Sequence, residues 1–321
     1  MAAEIVGAHP GHVGAAEPQL AAAAAQQAGH RVTVLTRRPQ EVTRLCGRAV
    51  TAVEWVEGGA GAWESILERA DAVINLAGAP IADARWTIAR KRLLTDSRVS
   101  TTRLLVEALS RRSSKPRTLI SASGIGYYGA SDDRVLDEGA PRGRGFLADL
   151  CLEWEAAALE AAAFGTRVVT LRTGMVLEQD GGALPKMLLP FRLFAGGPIM
   201  PGTQWVSWIH RRDHIGLIQW ALTTEAVSGP VNAVAPGAPG AADAVGVVLR
   251  LHRQPVVEDV GDGGHIDAAR SHISGHKDLL LPVAQRHQAA VAQALAERAV
   301  QGNGGKARLL QVGGQAVALD L

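Results

Sequence analysis

Residues 71–76 read Asp71-Ala72-Val73-Ile74-Asn75-Leu76 (DAVINL). The run is continuous in apolar character rather than alternating, which predicts a strand buried on both faces. A strand covered on both sides needs helices above and below it, the arrangement of a parallel α/β sheet. The flanking sequence repeats that grammar. Upstream lie a short, weak strand at Glu4-Ile5-Val6, a helix through Leu20–Gln27 that Gly29 can stop, the β-branched strand Arg31–Thr36 (RVTVLT) and a further candidate at Thr51–Val56. Downstream, Arg117–Ser121 (RTLIS), Arg167–Leu171 (RVVTL) and Pro230–Val234 (PVNAV) read as strands. Ser97–Leu109, Leu147–Ala163 and Asp213–Thr223 carry helical periodicity. Strands separated by helices imply parallel pairing with right-handed crossovers, hence an α/β fold with a Rossmann-type doubly wound sheet.

After residue 178 the pattern changes. Gly, Pro and Trp punctuate Gly181–Trp208, which predicts a loop-rich lobe over the sheet. The expected division is a dinucleotide-binding domain over residues 1–178 and a smaller substrate lobe with a divergent C-terminal region over residues 179–321. The lobes interleave, since a late strand is expected to return to the sheet. Ala284–Val300 reads as an Ala/Gln-rich helix between the glycine-rich breakers at residues 262–264 and 302–305.

Composition narrows the function classes. The 321 residues are 47% hydrophobic and 20% charged, with a formal net charge of +2. That balance predicts a globular protein without strong attraction to nucleic acid or to an anionic membrane. No apolar run reaches the ~18 residues of a membrane span, and the N-terminus lacks the pattern of a signal peptide. Cys46 and Cys151 stand far apart and read as reduced thiols, so a cytoplasmic location is expected. The basic stretch Arg85–Arg92 reads as a solvated helix face. His210 and Asp213, and His272 and His276, lack the further ligands of a metal site, so no metal is expected. A homodimer is admissible.

The first loop is the expected phosphate site. In Val6-Gly7-Ala8-His9-Pro10-Gly11-His12-Val13-Gly14, Gly11 and Gly14 have the three-residue spacing of a dinucleotide loop, but Ala8 stands where a first glycine is usual. The competing reading is an ordinary Gly/Pro turn. The second strand ends in Thr36-Arg37-Arg38, with no acid before Glu41. An acid there would bind a ribose 2′-hydroxyl; two guanidiniums and a hydroxyl instead suit the 2′-phosphate of NADP, with NAD as the alternative. A solvated basic turn would look the same.

Together DAVINLAGAPIADARW (Asp71–Trp86), DSRVSTTRLLVEAL (Asp96–Leu109), LISASGIGYYG (Leu119–Gly129), FLADLCLEWEAAA (Phe146–Ala158), VVTLRTGMVL (Val168–Leu177), GGALPKMLLPFRLFAGGP (Gly181–Pro198), QWVSWIH (Gln204–His210) and SGPVNAVAP (Ser228–Pro236) resemble the extended short-chain dehydrogenase/reductase superfamily. More narrowly, they resemble its NAD(P)-binding epimerase-like family, sometimes labelled as cell-division inhibitors. The resemblance runs from about Gly29 to Arg253. It implies an oxidoreductase or epimerase acting on a small carbonyl or hydroxyl substrate. A catalytically weak dinucleotide-binding sensor or scaffold is the alternative.

The resemblance also implies roles. Asn75, Leu76, Ala77 and Gly78 would lie against the adenine and ribose. Ser121 and Ser123 follow the fifth strand, where Ser121 would border the cofactor and Ser123 would polarise a substrate carbonyl. Tyr127 and Tyr128 form the next turn and are catalytic candidates; Arg172, Thr173 and Gly174 form the turn after the sixth strand, near the nicotinamide. The superfamily's Tyr-x-x-x-Lys pair, which moves the proton, falls on Leu147 and Cys151. The residues alone leave other readings open: Ser123 as a strand-end hydroxyl, Tyr128 as a packed aromatic, Cys151 as core. Trp205 and Trp208 are candidates for a substrate lid or for packing between lobes. From His252 onward the chain holds five histidines (His252, His265, His272, His276, His287) and no aromatic residue, so the family's C-terminal region is not recognisable. Genuine divergence and a coding-frame irregularity both fit the two ends.

Overall fold

Ala72–Asn75 forms a strand, β4, with all four residues buried. Asn75 tolerates that position because its amide is fully hydrogen-bonded there, as described below. The computed structural model describes residues 4–9, 29–46, 50–56, 62–131, 134–178, 181–193, 205–235, 307–312 and 315–320. Around β4 lie β1 (Glu4–His9), β2 (Arg31–Thr36), β3 (Thr51–Glu54), β5 (Thr118–Gly124), β6 (Arg167–Thr173) and β10 (Gly229–Ala233). They make one seven-stranded sheet in the order β10-β6-β5-β4-β1-β2-β3. Every pairing in it is parallel. The order reverses at β1, so the crevice between the C-terminal ends of β1 and β4 is the topological switch point.

The helices are α1 (Pro39–Cys46), α2 (Ala62–Leu67), α3 (Ile88–Thr95), α4 (Thr101–Ser110), α5 (Phe146–Leu159), α6 (Leu184–Arg192) and α7 (Arg211–Thr223). Helices α4 and α5 pack together on the sheet. Their apolar faces join Leu35, Val73, Leu119 and Val168 from the strands in one buried cluster that includes Leu105, Leu109 and Ala158. Helix α7 packs against β5. It is capped by His210, whose ring accepts a hydrogen bond from the Arg212 N–H at 3.2 Å.

Several expectations shift. The first strand does not stop at Val6: Gly7, Ala8 and His9 continue it, pairing with Val34, Leu35 and Thr36 of β2. Ser121 and Ser123 lie within β5 rather than after it, and Arg172 and Thr173 within β6, because the two strands stay paired to Gly124 and Thr173. The helix read from Ser97 begins at Ile88, and a π-helical turn, Asp96–Ser100, joins α3 to α4. The segment read as loop contains α6 and a three-stranded sheet of β7 (Met175–Glu178), β8 (Gly181–Gly182) and β9 (Trp208–His210). Pro185 and Pro190 masked α6, since proline reads as a breaker within a helical pattern.

Contacts divide the chain into two compact units, Met1–Val248 and Leu249–Leu321. The second contains an antiparallel pair, β11 (Ala307–Val312) and β12 (Gln315–Asp320). The readings at Leu20–Gln27 and Ala284–Val300 lie outside the described residues. No helix among the described residues is long and apolar enough to cross a membrane.

Candidate active site

The C-terminal ends of the central strands bring the predicted residues together from separate elements. At the switch point Asn75 is wholly buried. Its amide nitrogen donates to Thr102 Oγ1 on α4 at 2.8 Å and to Ser121 Oγ at 3.4 Å. Its carbonyl oxygen accepts the Ala77 N–H at 3.2 Å. Thr102 Oγ1 in turn accepts the Trp154 Nε1–H at 3.0 Å. Asn75, Ser121 and Ala77, each 0% exposed, therefore fix the path of the chain rather than present polar atoms outward. Leu76 and Gly78 remain half-buried.

Behind Gly78 sits Arg98, thrown inward by the π-helical turn. It is 7% exposed. Its guanidinium donates to Ala79 O at 2.8 Å and to Leu94 O at 3.3 Å, and lies 5.2 Å from the Trp154 ring centroid. Burial pulls its pKa down to about 10, which still leaves it charged at neutral pH. A Cβ at residue 78 would stand 2.9 Å from Arg98 Cζ, so any larger residue there would have to displace the buried guanidinium.

At the end of β2, Thr36 is buried and its Oγ1 accepts the Arg38 N–H at 3.2 Å, turning the chain outward. Arg37 and Arg38 are exposed there. Arg38 Nη1 lies 3.6 Å from Glu41 Oε2. Gly11 and Gly14 lie outside the described residues.

The catalytic candidates converge on Arg172. On β6 it sits beside Ser123 of β5 and Asn232 of β10. It is 3% exposed and makes a two-pronged ion pair with Glu155 of α5: Nε to Oε1 and Nη2 to Oε2, both 2.9 Å. Ser123 donates to Glu155 Oε1 at 2.7 Å. Arg172 Nη1 donates to the Tyr128 hydroxyl at 3.0 Å and to Glu138 O at 3.1 Å. Tyr128 donates onward to Asn232 Oδ1 at 2.6 Å, and the Asn232 N–H reaches Glu138 Oε1 at 2.8 Å. The guanidinium also lies 3.5 Å from the Tyr127 ring centroid. Burial opposes the charge on Arg172, but the hydrogen bonds to Glu155 and Tyr128 outweigh it and push the pKa upward. For Tyr128 burial dominates over those bonds, so its pKa is raised and it stays protonated at neutral pH.

Thr173 ends β6 and shares a 3.2 Å hydrogen bond with His214 Nε2 of α7. Gly174 lets the chain pass Ser207 O, which a Cβ there would approach to 2.9 Å. Trp208 is half-buried at the start of β9 and pairs with Met175, whereas Trp205 is 54% exposed. No cluster of His, Cys, Asp and Glu suited to a metal ion occurs among the described residues.

Glu155 and Arg98 were not recognised as site residues from sequence. The signal for Glu155 was available: it lies four residues after Cys151, on the face of α5 that buries Leu150, Cys151, Trp154 and Ala158. A carboxylate on an apolar stripe calls for a buried partner.

Residues 10–234 match the model of the NAD dependent epimerase/dehydratase family. The chain is 43% identical over 176 residues to the chloroplastic SDR39U1 homologue of Arabidopsis thaliana, covering 54% of this chain and 50% of that one. It is 38% identical over 235 residues to the bovine epimerase family protein SDR39U1, covering 72% and 74%. Against several of its curated relatives the chain spans only about half of their length. Among solved structures, human SDR39U1 with NADPH superposes with a TM-score of 0.62 at 32% identity, over 77% of this chain and 81% of that chain. A nucleoside-diphosphate sugar epimerase of Corynebacterium glutamicum gives a TM-score of 0.65 at 26% identity, over 94% and 67%. With the strand order, the switch-point loop and the match over residues 10–234 all in agreement, the chain belongs to the NAD-dependent epimerase/dehydratase family.

Proposed function

We propose that this chain binds NADP and exchanges hydride with a small substrate at a carbonyl or hydroxyl carbon. The observation that carries the cofactor reading is the exposed pair Arg37 and Arg38 at the end of β2, beside the switch point. The Arg38–Glu41 contact is an exposed pair of small worth, so a phosphate can displace it. The human relative holding NADPH supports the same choice, with NAD as a weaker alternative. Gly11 and Gly14 would hold the pyrophosphate, and Leu76 to Gly78, with Thr173 and Gly174, would border the adenine-ribose and nicotinamide sides.

The bound cofactor supplies or takes the hydride. The chain's own part is to orient the substrate and to handle the proton on its oxygen. Ser123, near the end of β5, and Tyr127, in the turn after it, would take that task. Tyr128 is committed to Asn232 and Arg172, so its role is to hold the turn. Trp205, 54% exposed, would be the more available of the two tryptophans to cover a ligand. Two free cysteines suit a reducing compartment such as the cytoplasm.

One observation favours a second reading, a nucleotide-binding sensor with little turnover. By the family resemblance Leu147 and Cys151 stand where the proton-transferring pair would be, and burial raises the Cys151 thiol above its usual pKa. Tryptophan fluorescence during NADPH titration, followed by turnover assays over a carbonyl and alcohol panel, separates the readings. Quenching with turnover is expected; tight binding without turnover selects the sensor, and no binding removes both. Arg37→Ala/Arg38→Ala should weaken NADPH at least tenfold more than NADH; equal losses would refute the 2′-phosphate assignment.

A further inference from the structure

Two neighbouring cations at the loop after β4 have no counterion among the described residues. Arg98, 7% exposed, donates to Ala79 O at 2.8 Å and to Leu94 O at 3.3 Å. Arg90 of α3 belongs to the basic stretch Arg85–Arg92, yet it does not face solvent as Arg92 does. It is half-buried and donates through Nη2 to Pro80 O, the next carbonyl along the same loop. Burial disfavours the charged form of Arg98, and the nearby charge of Arg90 adds to that cost. Carbonyl oxygens satisfy hydrogen bonds but bring no negative charge. The acids nearest in sequence, Asp83 and Asp96, are engaged by Lys186 and Arg92. The Arg90 Nε–H is buried without an acceptor among the described residues. Buried charges are normally paired, so two cations held together without an acid form a place for an external anion. That place borders the candidate catalytic residues: the Cys151 thiol feels the Arg98 charge and lies within hydrogen-bond reach of Ser123.

We propose that Arg90 and Arg98 form an anion subsite that anchors one carboxylate or phosphate group of the substrate, so that the small carbonyl or hydroxyl compound this chain takes is anionic. Arg90 makes the contact: one of its N–H groups is spent on Pro80 O and the others can meet an oxyanion. Arg98 is a positioning residue. It holds the loop through Ala79 O and adds its charge from within the fold. This inference rests on the function proposed above and names the class of substrate for that site.

The test uses the full chain with saturating NADP+ and ligand-detected NMR. The probes are inorganic phosphate and a pair matched except in charge, pyruvate and methyl pyruvate. Phosphate is expected to bind, and pyruvate to bind about tenfold tighter than its ester, the worth of a charge-assisted hydrogen bond. Arg90→Gln should weaken phosphate and pyruvate about tenfold and erase the preference over the ester. Arg98→Met should do the same, and Arg98→Lys, which keeps the charge, should lose less. Thermal melts establish that each variant is folded; Arg90→Gln, at the half-buried partner, decides the matter if Arg98→Met does not fold. Equal affinities for pyruvate and its ester, no phosphate binding, or an anion preference that survives Arg90→Gln would each overturn the subsite. Phosphate that binds only without NADP+ would also overturn it, assigning the two arginines to the cofactor's own phosphates. Failure of NADP+ to bind, with the anion preference intact, would overturn the cofactor reading alone.

Discussion

Glu155 joins Ser123 and Arg172 in one buried network. It is 6% exposed and Arg172 is 3% exposed. Removing one partner of such a pair leaves an uncompensated buried charge, typically a loss of about 3–5 kcal/mol. Glu155→Ala is therefore expected to lower the urea-unfolding stability by roughly that amount, and to free the Tyr128 turn from its anchor. The double change Glu155→Leu/Arg172→Met removes both charges and should be less destabilising than Glu155→Ala. If the double variant is the weaker one, the pair contributes net stability rather than only avoiding an orphaned charge. At this scale the sequence was half legible. Ser123, Tyr127, Tyr128 and Arg172 were singled out, and the fold places them in one network. Their shared partner was missed because its meaning depends on a cation 17 residues further along the chain.

Among the elements, α7 carries a titrating group that strand and helix patterns cannot reveal. His214 is 3% exposed, and burial pulls its pKa down from 6.5 to about 4. Its Nδ1 has no hydrogen-bond partner among the described residues, so nothing there compensates a second ring proton. The folded state thus binds the neutral ring, while the unfolded chain takes up a proton near 6.5. The stabilisation is complete above pH 6.5 and is lost as pH falls toward 4. The loss is on the order of 3 kcal/mol at most. His214→Gln, able to keep the contact to Thr173, should flatten the dependence of the unfolding midpoint on pH across that window; an unchanged slope would mean that other groups dominate it. The strands around this helix were readable because long apolar runs need no context. The π-helical turn that buries Arg98, the proline-bearing α6 and the two-residue β8 were not. Each is a local departure stabilised by tertiary contacts rather than by its own propensity.

For the molecule as a whole, the seven parallel strands lie in the unit Met1–Val248, and the reversal of their order at β1 fixes where a dinucleotide would sit. A ligand in that crevice would lie at the ends of β1, β2 and β4, strands far apart in sequence that come together only in the folded state. It therefore stabilises by mass action without binding the unfolded chain. At 100 times its dissociation constant the gain is about 2.7 kcal/mol. For a domain of this size that raises the melting midpoint by roughly 5–10 °C. NADPH should produce that rise, and NADH at the same concentration a smaller one, because only the former presents a phosphate to Arg37 and Arg38. In the Arg37→Ala/Arg38→Ala variant the two cofactors should give equal shifts. A melting midpoint indifferent to both cofactors at millimolar concentration would mean that the crevice, though built in the right order, does not hold a dinucleotide.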